Sequence, residues 1–401
     1  MQKTEKTEGE GCKTQTQTQV QTQVTQVVQV AHDKGGKVGL VNLGNSCYMN
    51  SSLQCLSHIT ELTRAFLSQR ILKQLNRESK DGTGGVLAER YGKLLEELWF
   101  EADRGAVSPA KLKSCLGKLN FEYAGLAQQD AHELIELLLD KLHEDVNRVK
   151  SKPYTLNLEG DGTDDAKVAA DTWQSQALRE DSIIRDLMGS LMRSQLTCVD
   201  CGRVAVSFEY TATLQVAIPH SSPKGGITLG QCLQEHTKEE VLDGGNEVYC
   251  GVCKEHRQMR KIVKFCRPFL PRILILSLKR FEFRNVSGLT GFRGAHREKI
   301  ETFVDFPLDH LDLSPFCQAG LGESTDGSCV YDLFAVCNHY GRMGFGHYTA
   351  AARDQGGGGG GEWHSFDDDE VSGPCSAEEV EAEVHSKNAY ILFYRQRRQR
   401  T

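Results

Sequence analysis

Two Cys-x-x-Cys knuckles constrain this chain more than any other feature: Cys198-Val199-Asp200-Cys201 and Cys250-Gly251-Val252-Cys253. Four thiolates at this spacing suit one closed, tetrahedral Zn²⁺ site in which the metal is structural. A single pair would be weak evidence, because a redox dithiol has the same spacing. The knuckles are 48 residues apart, more than a compact zinc ribbon holds. A hairpin of long strands must therefore bring them together. The alternating stretch Val204 to Ile218, with Phe208, Tyr210, Leu214 and Val216, fits one of those strands.

Composition narrows the function classes. Of 401 residues, 39 % are apolar, enough for a substantial core and incompatible with wholesale disorder. The net charge of −7 argues against a nucleic-acid partner held through its phosphates. The basic run Arg395, Arg397, Arg398 and Arg400 reads as a solvated end, with 397–401 outside the folded unit. No apolar window is long enough for a transmembrane helix, so no membrane partner is expected. The polar start, Met1 to Gly11, lacks a signal-peptide core, which points to the cytoplasm, the nucleus or both. In such a compartment 14 cysteines read as thiols, metal ligands or a nucleophile rather than disulfides.

Along the chain the period of the apolar residues changes. Residues 1–36, with an almost pure Thr/Gln/Val stretch from Thr14 to Val30, read as a disordered tail. Helices are predicted from Cys47 onward, capped by Asn45 and Ser46, then over Val86 to Phe100, Ala131 to Val146 and Asp181 to Met192. Lys150 to Ala170 is polar and Asp/Gly-rich and reads as an exposed loop. Strands follow within Ile262 to Phe283, Leu333 to Val336, His347 to Ala351 and Tyr390 to Tyr394. Six glycines, Gly356 to Gly361, suit a loose hairpin connection. A helical first third before a β-rich remainder is an α+β pattern.

The segment Gly39-Leu40-Val41-Asn42-Leu43-Gly44-Asn45-Ser46-Cys47-Tyr48-Met49-Asn50 places a cysteine in the first turn of a helix. Unpaired N–H groups and the positive end of the helix dipole favour the thiolate there. Asn42 is close enough in sequence to join the Cys47 N–H in an oxyanion hole. A cysteine nucleophile needs an imidazole, and two compete: His347, behind Gly344 and Gly346, and His339. If the glycine run closes a hairpin, Asp367 comes beside His347; read alone, Asp367 to Asp369 is an acidic turn. Gln128-Gln129-Asp130-Ala131-His132-Glu133 opens the third helix. Asp130 and Glu133 there are either a capping box or a one-turn acidic pair for a basic peptide.

Taken together, these segments resemble the ubiquitin-specific proteases, papain-like cysteine deubiquitinases. The resemblance rests on the boxes at 39–50 and 128–133, the two knuckles, Pro271 to Phe281, Gly346 to Thr349, Trp363 to Asp368 and Asn388 to Tyr394, in order over about 38–396. It implies a papain-like core shaped as a hand. The helical thumb would span about 38–150 and the zinc-tipped β-ribbon fingers would lie within 193–265. The palm would be β-rich and 37–396 would form one catalytic domain. It implies Cys47 as nucleophile, His347 as base, Asp367 as its orienter, Asn42 in the oxyanion hole and Asp368 as a second supporting acid. Gln128, Asp130 and Glu133 match positions that hold the substrate tail, and Cys198, Cys201, Cys250 and Cys253 match structural zinc ligands. The implied activity is hydrolysis after the C-terminal glycine of ubiquitin, with ubiquitin and ubiquitinated proteins as partners. A protease for another ubiquitin-like modifier and a non-catalytic ubiquitin-binding scaffold are the rival readings. The glycine run and the 150–170 loop depart from a minimal core.

Overall fold

The computed structural model of the chain describes residues 35–100, 105–220, 226–287, 293–322, 328–342, 345–353 and 361–397, excepting the side chains of 282–298. The Thr/Gln/Val tail, Cys12, most of the glycine run and the last basic residues lie outside the described residues.

Among the helices of the N-terminal unit, three matter for the site: α1 (Cys47–Ser57), α2 (Val86–Phe100) and α3 (Ala131–Asp145). Apolar residues three and four apart give each a stripe, and in α3 the stripe Leu134, Ile135, Leu138 and Leu142 is fully buried. Every residue of α1 is buried, because it is wedged between the other helices and a sheet.

Ten strands matter for the site. They are β1 (Ser190–Cys198), β2 (Val204–Thr211), β3 (Leu214–Ala217), β4 (Met259–Phe265), β5 (Ile273–Lys279), β6 (Val330–Arg342), β7 (Phe345–Arg353), β8 (Trp363–Asp367), β9 (Glu370–Ser372) and β10 (Ala389–Gln396). The large sheet runs β9-β8-β7-β6-β10-β5-β3. It is buried on both faces, which explains the unbroken apolar run of β5. Ile273 and Ile275 join the core beneath the helices, while Leu274, Leu276 and Leu278 join a second core behind the sheet. Arg280 ends this run fully buried, its guanidinium donating to the carbonyls of Ala389, Ile300 and Thr302. A second sheet centres on β1, flanked by β2 and β4.

The structure corrects several expectations. The predicted helix Asp181–Met192 is helical only over Ile183–Met188, since Gly189 ends it and Leu191 and Met192 pair within β1. The expected loop at 150–170 becomes helix at Asp165, capped by Asp164 and docked on β1 by a buried ion pair from Asp165 to Arg193 at 2.6 Å. Val204 to Ile218 is not one strand: β2 and β3 belong to different sheets. The knuckles meet through β1 and β4, where Cys198 opposes Met259, and not through that stretch. Ser46 is the N-cap of α1, but its Oγ accepts from Leu43 N at 2.8 Å and bonds no N–H of the helix. Gly36, assigned to the tail, is packed, with its N–H on Leu98 O at 3.1 Å. Arg395 is no solvated end: it lies in β10, reaches Glu61 Oε2 at 3.3 Å and stacks on Phe334. No described helix is long and apolar enough to cross a membrane.

Candidate active site

Cys47 is the first residue of α1 and is 2 % exposed. Gly44 (φ +92°) and Asn45 (φ +51°) turn the chain sharply into the helix, a path that only left-handed backbone allows. The carbonyl oxygen of the Asn42 side chain accepts from Gly44 N at 2.9 Å and Ser46 N at 3.1 Å, so the amide pins the loop that presents the thiol.

His347 comes from β7 and Asp367 from β8. These strands pair antiparallel, with Ala350 opposite Phe366 and Arg353 opposite Trp363. His347 Nε2 sits 2.5 Å from Asp367 Oδ1, and the ring lies close enough to Cys47 to feel its thiol electrostatically. The thiol first, and then Asp367, raise the His347 pKa to about 9 against the opposing effect of partial burial. His339 is the opposite case. It is 1 % exposed, packed between Tyr348 and Phe281, and burial pushes its pKa down to about 3. A buried ring held neutral is poorly placed to exchange protons with Cys47, so the geometry favours His347 of the two histidines. Gly346 makes this arrangement possible, because a Cβ there would lie 2.2 Å from His339 Nε2.

Asp368 does not hydrogen-bond His347. Its Oδ2 accepts from Asn42 Nδ2 and its Oδ1 from Asn50 Nδ2, both at 2.7 Å, while its carbonyl accepts from Leu40 N. One left-handed residue (φ +51°) thus ties the nucleophile loop, α1 and the β8–β9 turn together. Gln128 spans the cleft: Oε1 accepts from Gly346 N at 2.9 Å, Nε2 donates to Gly346 O, and Nε2 lies 3.7 Å from Cys47 Sγ. Asp130 caps α3 through His132 N at 2.7 Å and takes the Tyr390 hydroxyl on both oxygens at 2.8 Å. Glu133 is exposed one turn further on.

The four knuckle cysteines converge, with all their Sγ atoms within 4.8 Å of one another. Cys198 to Cys253 is 4.0 Å and Cys201 to Cys250 is 3.6 Å. Metal–sulfur bonds of about 2.3 Å in a tetrahedron give S···S edges of ~3.8 Å, so the cage fits such an ion. Backbone N–H groups of Cys253 and Val252 lower the Cys250 thiol, while the neighbouring thiols raise Cys253.

Residues 38–394 match the family model described as ubiquitin carboxyl-terminal hydrolase. The chain belongs to this family. It is 38 % identical over 360 residues to ubiquitin carboxyl-terminal hydrolase 2 of Bos taurus, covering 90 % of this chain and 55 % of that protein. To ubiquitin carboxyl-terminal hydrolase 21 of Homo sapiens it is 35 % identical over 375 residues, covering 90 % and 61 %. The chain thus spans little more than half the length of these curated relatives. Among solved structures it is similar to the SAGA Ubp8/Sgf11/Sus1/Sgf73 DUB module bound to ubiquitin aldehyde. That match has a TM-score of 0.65 and 25 % identity, and covers 91 % of this chain and 70 % of that one. The fold is that of this family's core, with α1 packed against β7, the strand that carries His347.

Within this hydrolase core, two supporting residues escaped sequence reasoning. Asn50 is 1 % exposed and holds Asp368 from inside α1. Tyr390 holds Asp130 from β10, 260 residues away. Asn50 had one available signal, its place in the nucleophile box. Tyr390 had none, since a tyrosine in an apolar strand reads as core.

Proposed function

We propose that the chain is a thiol-dependent deubiquitinase that hydrolyses the bond after the C-terminal glycine of ubiquitin. One observation supports this reading: His347, hydrogen-bonded to Asp367, stands near Cys47 in a chain of this family. The thiolate of Cys47 attacks the glycine carbonyl, and the oxyanion faces the N-terminal N–H groups of α1 and the side chain of Asn42. Imidazolium His347 gives its proton to the departing lysine amine, leaving a thioester on Cys47. Neutral His347 then takes a proton from water, whose oxygen attacks the thioester, and the Cys47 thiolate departs, which restores the thiolate–imidazolium pair. Asp367 orients the ring throughout.

Three more assignments complete the proposal. Gln128, Asp130 and Glu133 flank the approach to Cys47 and hold the basic tail of ubiquitin. The Cys198, Cys201, Cys250 and Cys253 cage holds Zn²⁺, which when bound fixes the distance between the two knuckles. All described cysteines are free thiols, which suits a reducing compartment, the cytoplasm or the nucleus. Turnover of a ubiquitin C-terminal fluorogenic amide, compared with amides of other ubiquitin-like modifiers, tests the activity and the modifier together. Hydrolysis of the ubiquitin amide by wild type and none by Cys47→Ala is expected. Binding of ubiquitin with no hydrolysis by wild type would favour the scaffold.

A further inference from the structure

A groove begins where the His347–Asp367 pair ends. It is an open cavity of about 560 Å³ on the outer part of the large sheet. Asp367 opposes Glu370 across β8 and β9, and Thr349 lies two residues along β7 from His347. Alternation along β7 puts Thr349 on the same face as His347, opposite Tyr348, Ala350 and Ala352, which share a core with α1, so the groove continues from His347. The short helical stretch at 377–384 walls the far side with Glu379 and Glu383.

Its chemistry is one-sided. Asp367, Glu370, Glu379 and Glu383 line it, and no lysine or arginine does. Among the described residues, Glu370, Glu379 and Glu383 make no ion pair. Two of these carboxylates are held in place: Tyr340 donates to Glu383 Oε2 at 3.1 Å and Ser376 N donates to Glu379 Oε2 at 2.7 Å. On the floor, Thr349 is 7 % exposed and its hydroxyl has no hydrogen-bond partner. A buried hydroxyl without a partner beneath a ring of carboxylates lacks a donor, and an ammonium or guanidinium supplies several.

The position decides whose cation this is. Cys47, His347 and Asp367 follow one another, so the groove lies on the side of the imidazole away from the thiol. No residue of α1 or α3 lines it, and it stands outside the cleft where Gln128 meets Gly346. We propose that the groove binds a lysine or arginine side chain of the conjugated protein, close in space to the acceptor lysine, and so selects conjugates with basic surroundings. This rests on the deubiquitinase reading above and adds a leaving-side specificity to it.

The test uses ubiquitin joined through an isopeptide bond to three peptides, with Lys/Arg, neutral or Asp/Glu residues around the acceptor lysine. The enzymes compared are wild type and the triple variant Glu370→Gln, Glu379→Gln, Glu383→Gln, which keeps the Ser376 and Tyr340 hydrogen bonds. Wild type is expected to show kcat/KM about fivefold higher for the basic than the neutral conjugate, a preference that shrinks in high salt. The variant is expected to lose the preference while hydrolysing the ubiquitin fluorogenic amide at the wild-type rate. No preference in wild type, or an unchanged one in the variant, overturns the proposal. Fluorescence anisotropy of the labelled basic peptide alone reads the groove without turnover. Weaker binding by the variant supports the groove even if the deubiquitinase reading fails, and equal binding by both proteins contradicts it.

Discussion

Asp368 grips Asn42. The Asn42 Nδ2 donates to Asp368 Oδ2 at 2.7 Å, and the other carboxylate oxygen is anchored by Asn50. Asn42 is the proposed oxyanion donor, and Asp368 is what orients it. Asn42→Ala is expected to lower kcat by about 10²–10³, the usual cost of one oxyanion donor. Asp368→Ala should lower kcat about tenfold with little change in KM, because it frees the donor without removing it. Steady-state kinetics on the fluorogenic amide checks both. A kcat within twofold of wild type for Asp368→Ala would refute the positioning role.

The His347 proton sets the alkaline limit. Its pKa is raised to about 9 by Cys47 and then Asp367. Imidazolium is therefore present at neutral pH, and activity should fall as pH rises through about 9. The same sign holds for stability: the pairing contributes fully below the ordinary histidine value near 6.5 and is lost as pH climbs through 9. In Asp367→Ala the alkaline limb of kcat/KM should move to lower pH. A limb that stays at 9 in this variant would show that Asp367 does not support the charge.

Gly346 is too crowded for any side chain. A Cβ would stand 2.2 Å from His339 Nε2 and 2.5 Å from Tyr340 O, so Gly346→Ala must push β7 outward beside the catalytic imidazole. A displacement of about 1 Å there is worth ~10² in rate. The expected outcome is at least that loss of kcat/KM in a protein with a wild-type circular dichroism spectrum. Normal kinetics would mean that the imidazole position tolerates movement.

Removal of the metal is expected to unfasten the knuckles. Cys250→Ser should lower bound zinc from one equivalent to none by elemental analysis. It should also raise amide exchange at the linked ends of β1 and β4. Binding energy at such sites is folding energy, about 10–16 kcal/mol apparent in isolated zinc modules. Unchanged stoichiometry would rule out this cage as the zinc site.

Much of this architecture was legible from local pattern. The α3 stripe, the apolar run of β5 and the knuckles carry their period or spacing in a few consecutive residues. Other parts depend on distant partners and were misread. Asp165 looked like loop chemistry because its partner, Arg193, is 28 residues away on β1. Leu191 and Met192 continued a helical pattern until pairing on both sides drew them into a strand. At the site, the helix-start cysteine announced itself. The choice of His347 over His339 did not, since burial and the packing of Gly346 distinguish them only in three dimensions. The Asn50–Asp368 bond, spanning 318 positions, has no local signature at all.

The most direct test of the central claim is covalent. Ubiquitin bearing a C-terminal electrophile is mixed with wild type and with Cys47→Ala, and the intact products are weighed by mass spectrometry. One ubiquitin is expected to add to wild type and none to Cys47→Ala. No adduct on wild type, or an adduct that survives the substitution, would contradict it.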